Sequence, residues 1–157
     1  MVCGRSAVMP IEKNRALFYG ADYIFRYGKS DELLTGSDCY IVTYGNLVGN
    51  SLAAAEILSQ KEISCGVINA PCPLDLDDRD FIRAFDTKAV LVAEDHNVES
   101  GLFSVLTGRF FNAGGKAKLL CAGITDYCGS DDSRSLYKKA KLDAESLARQ
   151  ILKNIEK

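Results

Sequence analysis

At 157 residues, with 47% hydrophobic and 25% charged side chains, the chain has the size and composition of one globular domain, which excludes disordered, collagen-like and disulfide-scaffold proteins. Its net charge of −2 offers no electrostatic basis for binding nucleic acid or an anionic membrane. No apolar run reaches the roughly 20 residues of a membrane helix and residues 1–15 show no signal-peptide pattern, so we expect a cytoplasmic protein.

The first third of the chain predicts a lead-in segment and the start of a sheet. Residues 1–15 combine a short apolar piece, a proline and a charged patch, which indicates a linker rather than core. Residues 23–27 are aromatic and extended, and a turn at 28–30 brings the chain to the apolar pair 33–34. This pattern favours an antiparallel edge strand that lies beside a central strand.

From residue 39 onward, strand and helix patterns alternate. Residues 39–44 are rich in β-branched and aromatic side chains, and after Gly45 the apolar spacing changes to that of a helix over 47–62. The elements that we predict beyond this first unit are a strand at 65–69, a helix at 77–85, a strand at 89–93, a helix at 102–111, a strand at 118–122 and helices at 134–140 and 144–155.

The alternation predicts right-handed crossovers between parallel strands. We therefore expect an α/β fold, a three-layer α/β/α sandwich. Its sheet has five strands that are mostly parallel, with one antiparallel edge strand.

Cysteine and histidine usage gives no sign of a disulfide framework or a metal centre. The six cysteines form no C-x-x-C pair and several lie in apolar strand patterns, so we interpret them as free thiols. A metal site needs clustered ligands, and the chain has one histidine. We predict no metal site.

Two stretches at predicted strand ends are candidate sites. Gly45 and Asn46 stand between a strand and a helix, where backbone N–H groups can hold an anion; a tight turn is the favoured alternative. Glu94, Asp95 and His96 follow the third apolar strand, at the edge of the sheet where ligands usually bind. Two carboxylates beside an imidazole can perform acid–base chemistry. Without an evident nucleophile or metal, we favour an interface or ligand turn and predict no catalytic residue.

Five motifs in chain order resemble the C-terminal domain of transketolase and of related thiamine-diphosphate enzymes such as deoxyxylulose-phosphate synthase. The resemblance covers nearly the whole chain. The motifs are Gly36-Ser37-Asp38 leading into IVTYG, the alanine-rich SLAAAEIL, the loop Pro73-Leu74-Asp75, the stretch VLVAEDHNVESGL, and the closing SRSLYKKAKLDAESLARQILK.

The resemblance implies a non-catalytic domain that supports dimerisation of an enzyme transferring ketol groups between sugar phosphates in pentose phosphate metabolism. Thiamine diphosphate and Mg²⁺ would be held by upstream domains or a separate subunit. This chain alone would bind neither. Residues 1–15 resemble the end of an upstream pyrimidine-binding domain, in which Arg5 matches an arginine that contacts the sugar phosphate. Residues 16–157 would then be the domain itself.

Two alternatives to this function remain open at the level of the sequence. One is a free-standing regulatory or binding module that holds a phosphate ligand at the strand ends. The other is a partner-docking domain like that of 2-oxoacid dehydrogenase β-subunits.

Overall fold

The computed structural model of the protein describes residues 12–13, 16–17, 19–20, 22–126 and 129–155. Within these residues, two short strands form an antiparallel pair and five longer strands form the main sheet. The strands are β1 Glu12–Lys13, β2 Ala16–Leu17, β3 Asp31–Leu34, β4 Cys39–Thr43, β5 Cys65–Asn69, β6 Ala89–Asn97 and β7 Lys118–Ile124. The α-helices are α1 Leu47–Ser59, α2 Ile82–Phe85, α3 Leu102–Asn112, α4 Ser133–Lys139 and α5 Ala144–Ile155.

The main sheet has the strand order β3-β5-β4-β6-β7. β4 pairs in parallel with both β5 and β6, and β7 pairs in parallel with β6. β3 is antiparallel to β5 and forms one edge. These pairings confirm the predicted fold class, with its mostly parallel sheet and one antiparallel edge strand.

The sheet is covered by helices on both faces because its inner strands are apolar on both sides. All five residues of β4 are buried, and the first four alternate between two core clusters. Cys39 and Ile41 pack with α1 and α5, whereas Tyr40 and Val42 pack with α2 and α3. A continuous apolar run is what a strand buried on both faces requires.

The chain leaves β4 and β6 in opposite directions, which opens a crevice between their carboxyl ends. α1 leads from β4 to β5 on one side, and α3 leads from β6 to β7 on the other. In open α/β sheets, the point where successive crossovers diverge is the usual place for a ligand. The fold therefore brings both candidate stretches to the same crevice.

One predicted helix differs from the structure. The helix that we expected over 77–85 is a 3-10 turn at Asp78–Asp80 followed by the four-residue α2. The Asp77 carboxylate accepts a hydrogen bond from the backbone N–H of Arg79, and this local bond starts the tighter turn. The predicted antiparallel edge strand is Asp31–Leu34, and its pairing with β5 begins at Asp31.

Within the described part of the chain, no helix is long and apolar enough to cross a membrane.

Candidate functional site

The crevice between β4 and β6 contains the residues of both predicted stretches. Gly45 and Asn46 connect β4 to α1, and Glu94 to His96 lie in the last part of β6. The expectation of a turn at Glu94 to His96 was wrong. β7 runs beside β6 as far as Ile124, so these residues have a neighbouring backbone and continue the strand, with a register irregularity after Ala93.

Glu94 is fully buried, and both of its carboxylate oxygens bind the start of α3. The backbone N–H of Leu102 donates to Oε2 at 2.7 Å, and that of Phe103 donates to Oε1 at 3.0 Å. The first N–H groups of a helix lack partners within the helix and carry partial positive charge, so a carboxylate stabilises them. Glu94 therefore caps α3 from a neighbouring strand.

Gly101 explains how a carboxylate can approach this helix so closely. A Cβ atom on residue 101 would stand 1.9 Å from Oε2 of Glu94 and 2.5 Å from its carboxyl carbon. Its backbone φ of −98° suits any residue, so the requirement for glycine here is space. A side chain at position 101 would displace Glu94 from α3.

Asp95 points to the other side of the crevice and contacts α4. The Tyr137 hydroxyl donates a hydrogen bond to Asp95 Oδ2 at 3.0 Å. Burial, followed by the charge of Asp95, raises the pKa of Tyr137 to about 12, so the hydroxyl remains a donor at neutral pH. Asp95 thus links the end of β6 to α4.

Two further groups are affected by the same carboxylates. Burial raises the pKa of Tyr44 to about 12, and the charges of Glu94 and Asp95 add to this increase. Burial raises the pKa of the Cys121 thiol to about 11, with a contribution from Glu94. A thiol with a raised pKa is a poor nucleophile near neutral pH. The carboxylates of Glu94 and Asp95 make the crevice a negatively charged environment.

Gly45 and Asn46 form the turn that the sequence predicted as the alternative to an anion site. Gly45 has a φ of +62°, in the left-handed region that glycine adopts without strain. Asn46 precedes α1, and its side chain makes no capping hydrogen bond. Anion binding by this turn remains a prediction, and the negative charges of Glu94 and Asp95 oppose it.

His96 is exposed near the end of β6. The structure does not bring it into the contacts that organise the crevice, which come from Glu94, Asp95, Tyr44 and Tyr137. Whether the stretch from Glu94 to His96 contacts a partner or a ligand remains a prediction. Arg5 lies outside the described residues.

Metal-ligating side chains and cysteines are the other groups that could form a site. In residues 12–13, 16–17, 19–20, 22–126 and 129–155, no group of three or more His, Cys, Asp or Glu side chains is arranged to hold a metal ion. They also include no disulfide; the free cysteines among them are Cys39, Cys65, Cys72 and Cys121.

Neither the close approach of Glu94 to Gly101 nor the hydrogen bond between Asp95 and Tyr137 was predicted from the sequence. A signal for the first was present, because a glycine just before a predicted helix permits close approach by another group. The contact between Asp95 and Tyr137 joins residues 42 positions apart and had no local signal.

Comparison with known proteins identifies relatives for most of the chain. Residues 28–147 match the family described as the C-terminal domain of transketolase. The chain is 31% identical over 134 residues to a transketolase C-terminal section of Methanocaldococcus jannaschii, covering 85% of this chain and 42% of that protein. It is 31% identical over 129 residues to one of the subunits of an apulose-4-phosphate transketolase of Actinobacillus succinogenes, covering 80% of this chain and 42% of that protein.

A solved structure described as a split-gene transketolase, an inactive β4 tetramer, has the same fold. It superposes with a TM-score of 0.86 at 25% identity and covers 98% of this chain and 48% of the solved chain. This chain therefore spans about half of that chain's length, and 42% of the length of each of the two curated relatives.

Proposed function

Because the chain belongs to the family of transketolase C-terminal domains, we propose that it is the non-catalytic C-terminal part of a thiamine-diphosphate enzyme. The complete assembly would transfer ketol groups between sugar phosphates. In it, this chain would support subunit association, and other domains or a separate subunit would hold thiamine diphosphate and Mg²⁺.

The observation that carries the non-catalytic assignment is the position of Glu94. Its carboxylate is buried, and both oxygens accept hydrogen bonds from α3. A general acid or base must reach the proton that it transfers, directly or through one water molecule. Since both oxygens of Glu94 are committed to the helix, this carboxylate is not available for proton transfer, which supports a non-catalytic role.

The names of the relatives support an assembly of more than one chain or domain. One relative is a single subunit of a transketolase, and the structural relative is a split-gene transketolase. In both cases this chain matches less than half of the relative's length. Association with further domains is the role that such a partial match favours.

Exposed apolar side chains beside the edge of the sheet also support association. Ile24, Tyr27 and Leu74 are 73%, 74% and 82% exposed. The segment of Ile24 and Tyr27 adjoins the segment of Leu74, because the Asp77 backbone N–H donates to the Gly28 carbonyl at 3.1 Å. Large apolar side chains exposed on neighbouring surface segments are typical of contacts with other chains or domains.

Co-expression with a thiamine-diphosphate-binding transketolase subunit from the same genome tests this proposal. We expect the two chains to co-purify in one complex on size-exclusion chromatography, and ketol transfer to require both. Ketol transfer by this chain alone, or the absence of any complex, would contradict the proposal.

A further inference from the structure

The outer edge of β7 is a row of backbone groups that no other described strand uses. β7 is the last strand in the sheet order β3-β5-β4-β6-β7, so within the described residues only β6 pairs with it. The Lys118 N–H donates to the Lys88 carbonyl at 2.9 Å, so Lys118 faces β6. Because backbone groups alternate between the two sides of a strand, Leu119, Cys121 and Gly123 face away from β6.

A side-chain amide already binds one of these outward groups. The Cys121 carbonyl accepts a hydrogen bond from Gln150 Nε2 of α5 at 2.7 Å, as its outward position requires. A glutamine amide carries the same kind of N–H donor as a peptide backbone. Gln150 therefore supplies a bond that a neighbouring strand would otherwise make. In the described part of the chain, the outward N–H groups of Cys121 and Gly123 receive no comparable side-chain partner.

Open space lies beside this edge, so a ligand can reach it. A cavity of about 290 Å³ is lined by β7, by Gln150 of α5 and by the turn after α4. A second cavity of about 250 Å³ adjoins the first at Gly123, Thr125 and Lys141. Cys121 and Gly123 are partly exposed. The two cavities form a groove along the carboxyl-terminal half of this edge, which we call the β7 groove.

Exposed lysines without a carboxylate partner surround the β7 groove. Lys118 begins β7, Lys141 lines both cavities, and Lys153 lies one helical turn after Gln150, on the same side of α5. None of the three forms an ion pair within the described residues. Asp126 is the acidic residue in the lining. Positive charge therefore prevails along this edge, although the whole chain has a net charge of −2, and it favours an acidic partner.

We propose that the β7 groove binds an acidic, extended segment of another protein chain, which joins the sheet as an additional strand. Its carbonyl groups accept the outward N–H groups of Cys121 and Gly123. Its own N–H groups donate to the outward carbonyls once the Gln150 side chain swings aside, and its acidic side chains meet the lysines. In strand addition of this kind, backbone hydrogen bonds give affinity and side chains give specificity. The site is separate from the crevice between β4 and β6, and it stands independently of the assembly proposed above.

Selection from a phage-displayed library of random octapeptides on the purified chain tests the groove. We expect the selected peptides to be enriched in aspartate and glutamate, and a synthetic copy of the most frequent one to bind saturably by fluorescence anisotropy. Higher salt should weaken this binding. The bound peptide should slow hydrogen exchange of the Cys121 and Gly123 amides in ¹⁵N NMR spectra. Failure to select a peptide, no enrichment of acidic residues, or binding without protection of these two amides would overturn the proposal.

Two variants separate the backbone bonds from the charges. Cys121→Pro removes an outward N–H that β6 does not use, and should abolish peptide binding. Lys141→Glu should weaken binding about fivefold. Its matched control is Lys61→Glu, the same charge change at an exposed residue after α1, which should bind like the wild type. Circular dichroism verifies folding, and the lysine variants decide if Cys121→Pro does not fold. Equal affinities of Lys141→Glu and Lys61→Glu would overturn the proposal.

A second copy of this chain is the competing occupant of the edge, and analytical ultracentrifugation distinguishes it. We expect Cys121→Pro to leave the oligomeric state of the chain unchanged. Dissociation of an oligomer by Cys121→Pro, with no peptide binding by the wild type, would overturn the proposal in favour of pairing between copies. Because these measurements use the isolated chain, failure of the complex with a cofactor-binding subunit would not affect their outcome.

Discussion

At the scale of single residues, the start of α3 depends on the space that Gly101 leaves for Glu94. We predict that Gly101→Ala destabilises the fold by about 2–3 kcal/mol, because the buried carboxylate must give up hydrogen bonds to make room for the methyl group. The matched control is Gly108→Ala within α3. A Cβ at position 108 meets nothing within 4 Å, so this change should stabilise by about 0.5–1 kcal/mol.

Urea denaturation of the two variants provides the comparison. Opposite signs for the changes in unfolding free energy would support close packing of Glu94 against position 101. Equal effects at positions 101 and 108 would show that the carboxylate does not occupy that space.

The Glu94 carboxylate itself gives a second prediction. Glu94→Ala leaves the N–H groups of Leu102 and Phe103 without acceptors, and should destabilise by about 2–4 kcal/mol. Glu94→Gln keeps one oxygen and should cost less. Asp95→Ala is the control. Asp95 is exposed and the substitution removes one surface hydrogen bond, so it should reduce the unfolding free energy by less than about 1 kcal/mol. Similar losses for Glu94→Ala and Asp95→Ala would argue against capping by Glu94.

At the scale of elements, Asp38 joins the amino ends of three strands. Its carboxylate accepts the Ser64 backbone N–H at 2.9 Å, just before β5, and pairs with Lys88 Nζ at 2.7 Å, just before β6. The hydrogen bond from Lys88, and then that from Ser64, lowers the pKa of Asp38 below its usual value. The turn Gly36-Ser37-Asp38, which the sequence singled out as a family motif, therefore has a structural role.

The pH dependence of this contact follows from the lowered pKa. The ionised form is favoured in the folded state, so its contribution is present above the unfolded pKa of about 3.9 and is lost as pH falls through the folded value. We predict that Asp38→Asn costs about 1 kcal/mol at pH 7 and that variant and wild type converge at pH 2. Asp86→Asn, at a surface pair with Lys116, should have little effect at either pH. Urea denaturation at both pH values tests this, and a loss at pH 2 equal to that at pH 7 would contradict it.

The elements were predictable to the extent that local pattern determines them. The strands at 39–43 and 65–69 are continuous apolar runs, and their type and order were foreseen. The extension of β6 to Asn97 was not, because it depends on β7 running beside it. The burial of Glu94 was missed for a related reason: a carboxylate looks exposed in sequence until a helix end is known to lie against it.

At the scale of the whole molecule, several partly buried ionisable groups make stability sensitive to alkaline pH. The pKa values of Tyr23, Tyr44 and Tyr137 are raised to about 12 and that of Cys121 to about 11, in each case mainly by burial. The folded state therefore keeps protons that the unfolded state releases from about pH 9 upward, so the unfolding free energy should fall as pH rises further.

Urea denaturation at pH 8, 10 and 11 measures this loss, and absorbance at 295 nm reports tyrosine ionisation in the folded chain. We expect progressively lower stability, with part of the tyrosinate signal appearing only on unfolding. A constant unfolding free energy up to pH 11 would contradict the burial of these hydroxyls.

We propose that this chain works as one part of a thiamine-diphosphate enzyme and holds none of the cofactor by itself. Isothermal titration calorimetry with thiamine diphosphate and Mg²⁺ tests it most directly, on this chain alone and on the complex with its cofactor-binding subunit. We predict no binding heat for the isolated chain and saturable binding by the complex. Saturable binding of thiamine diphosphate by the isolated chain would contradict the claim.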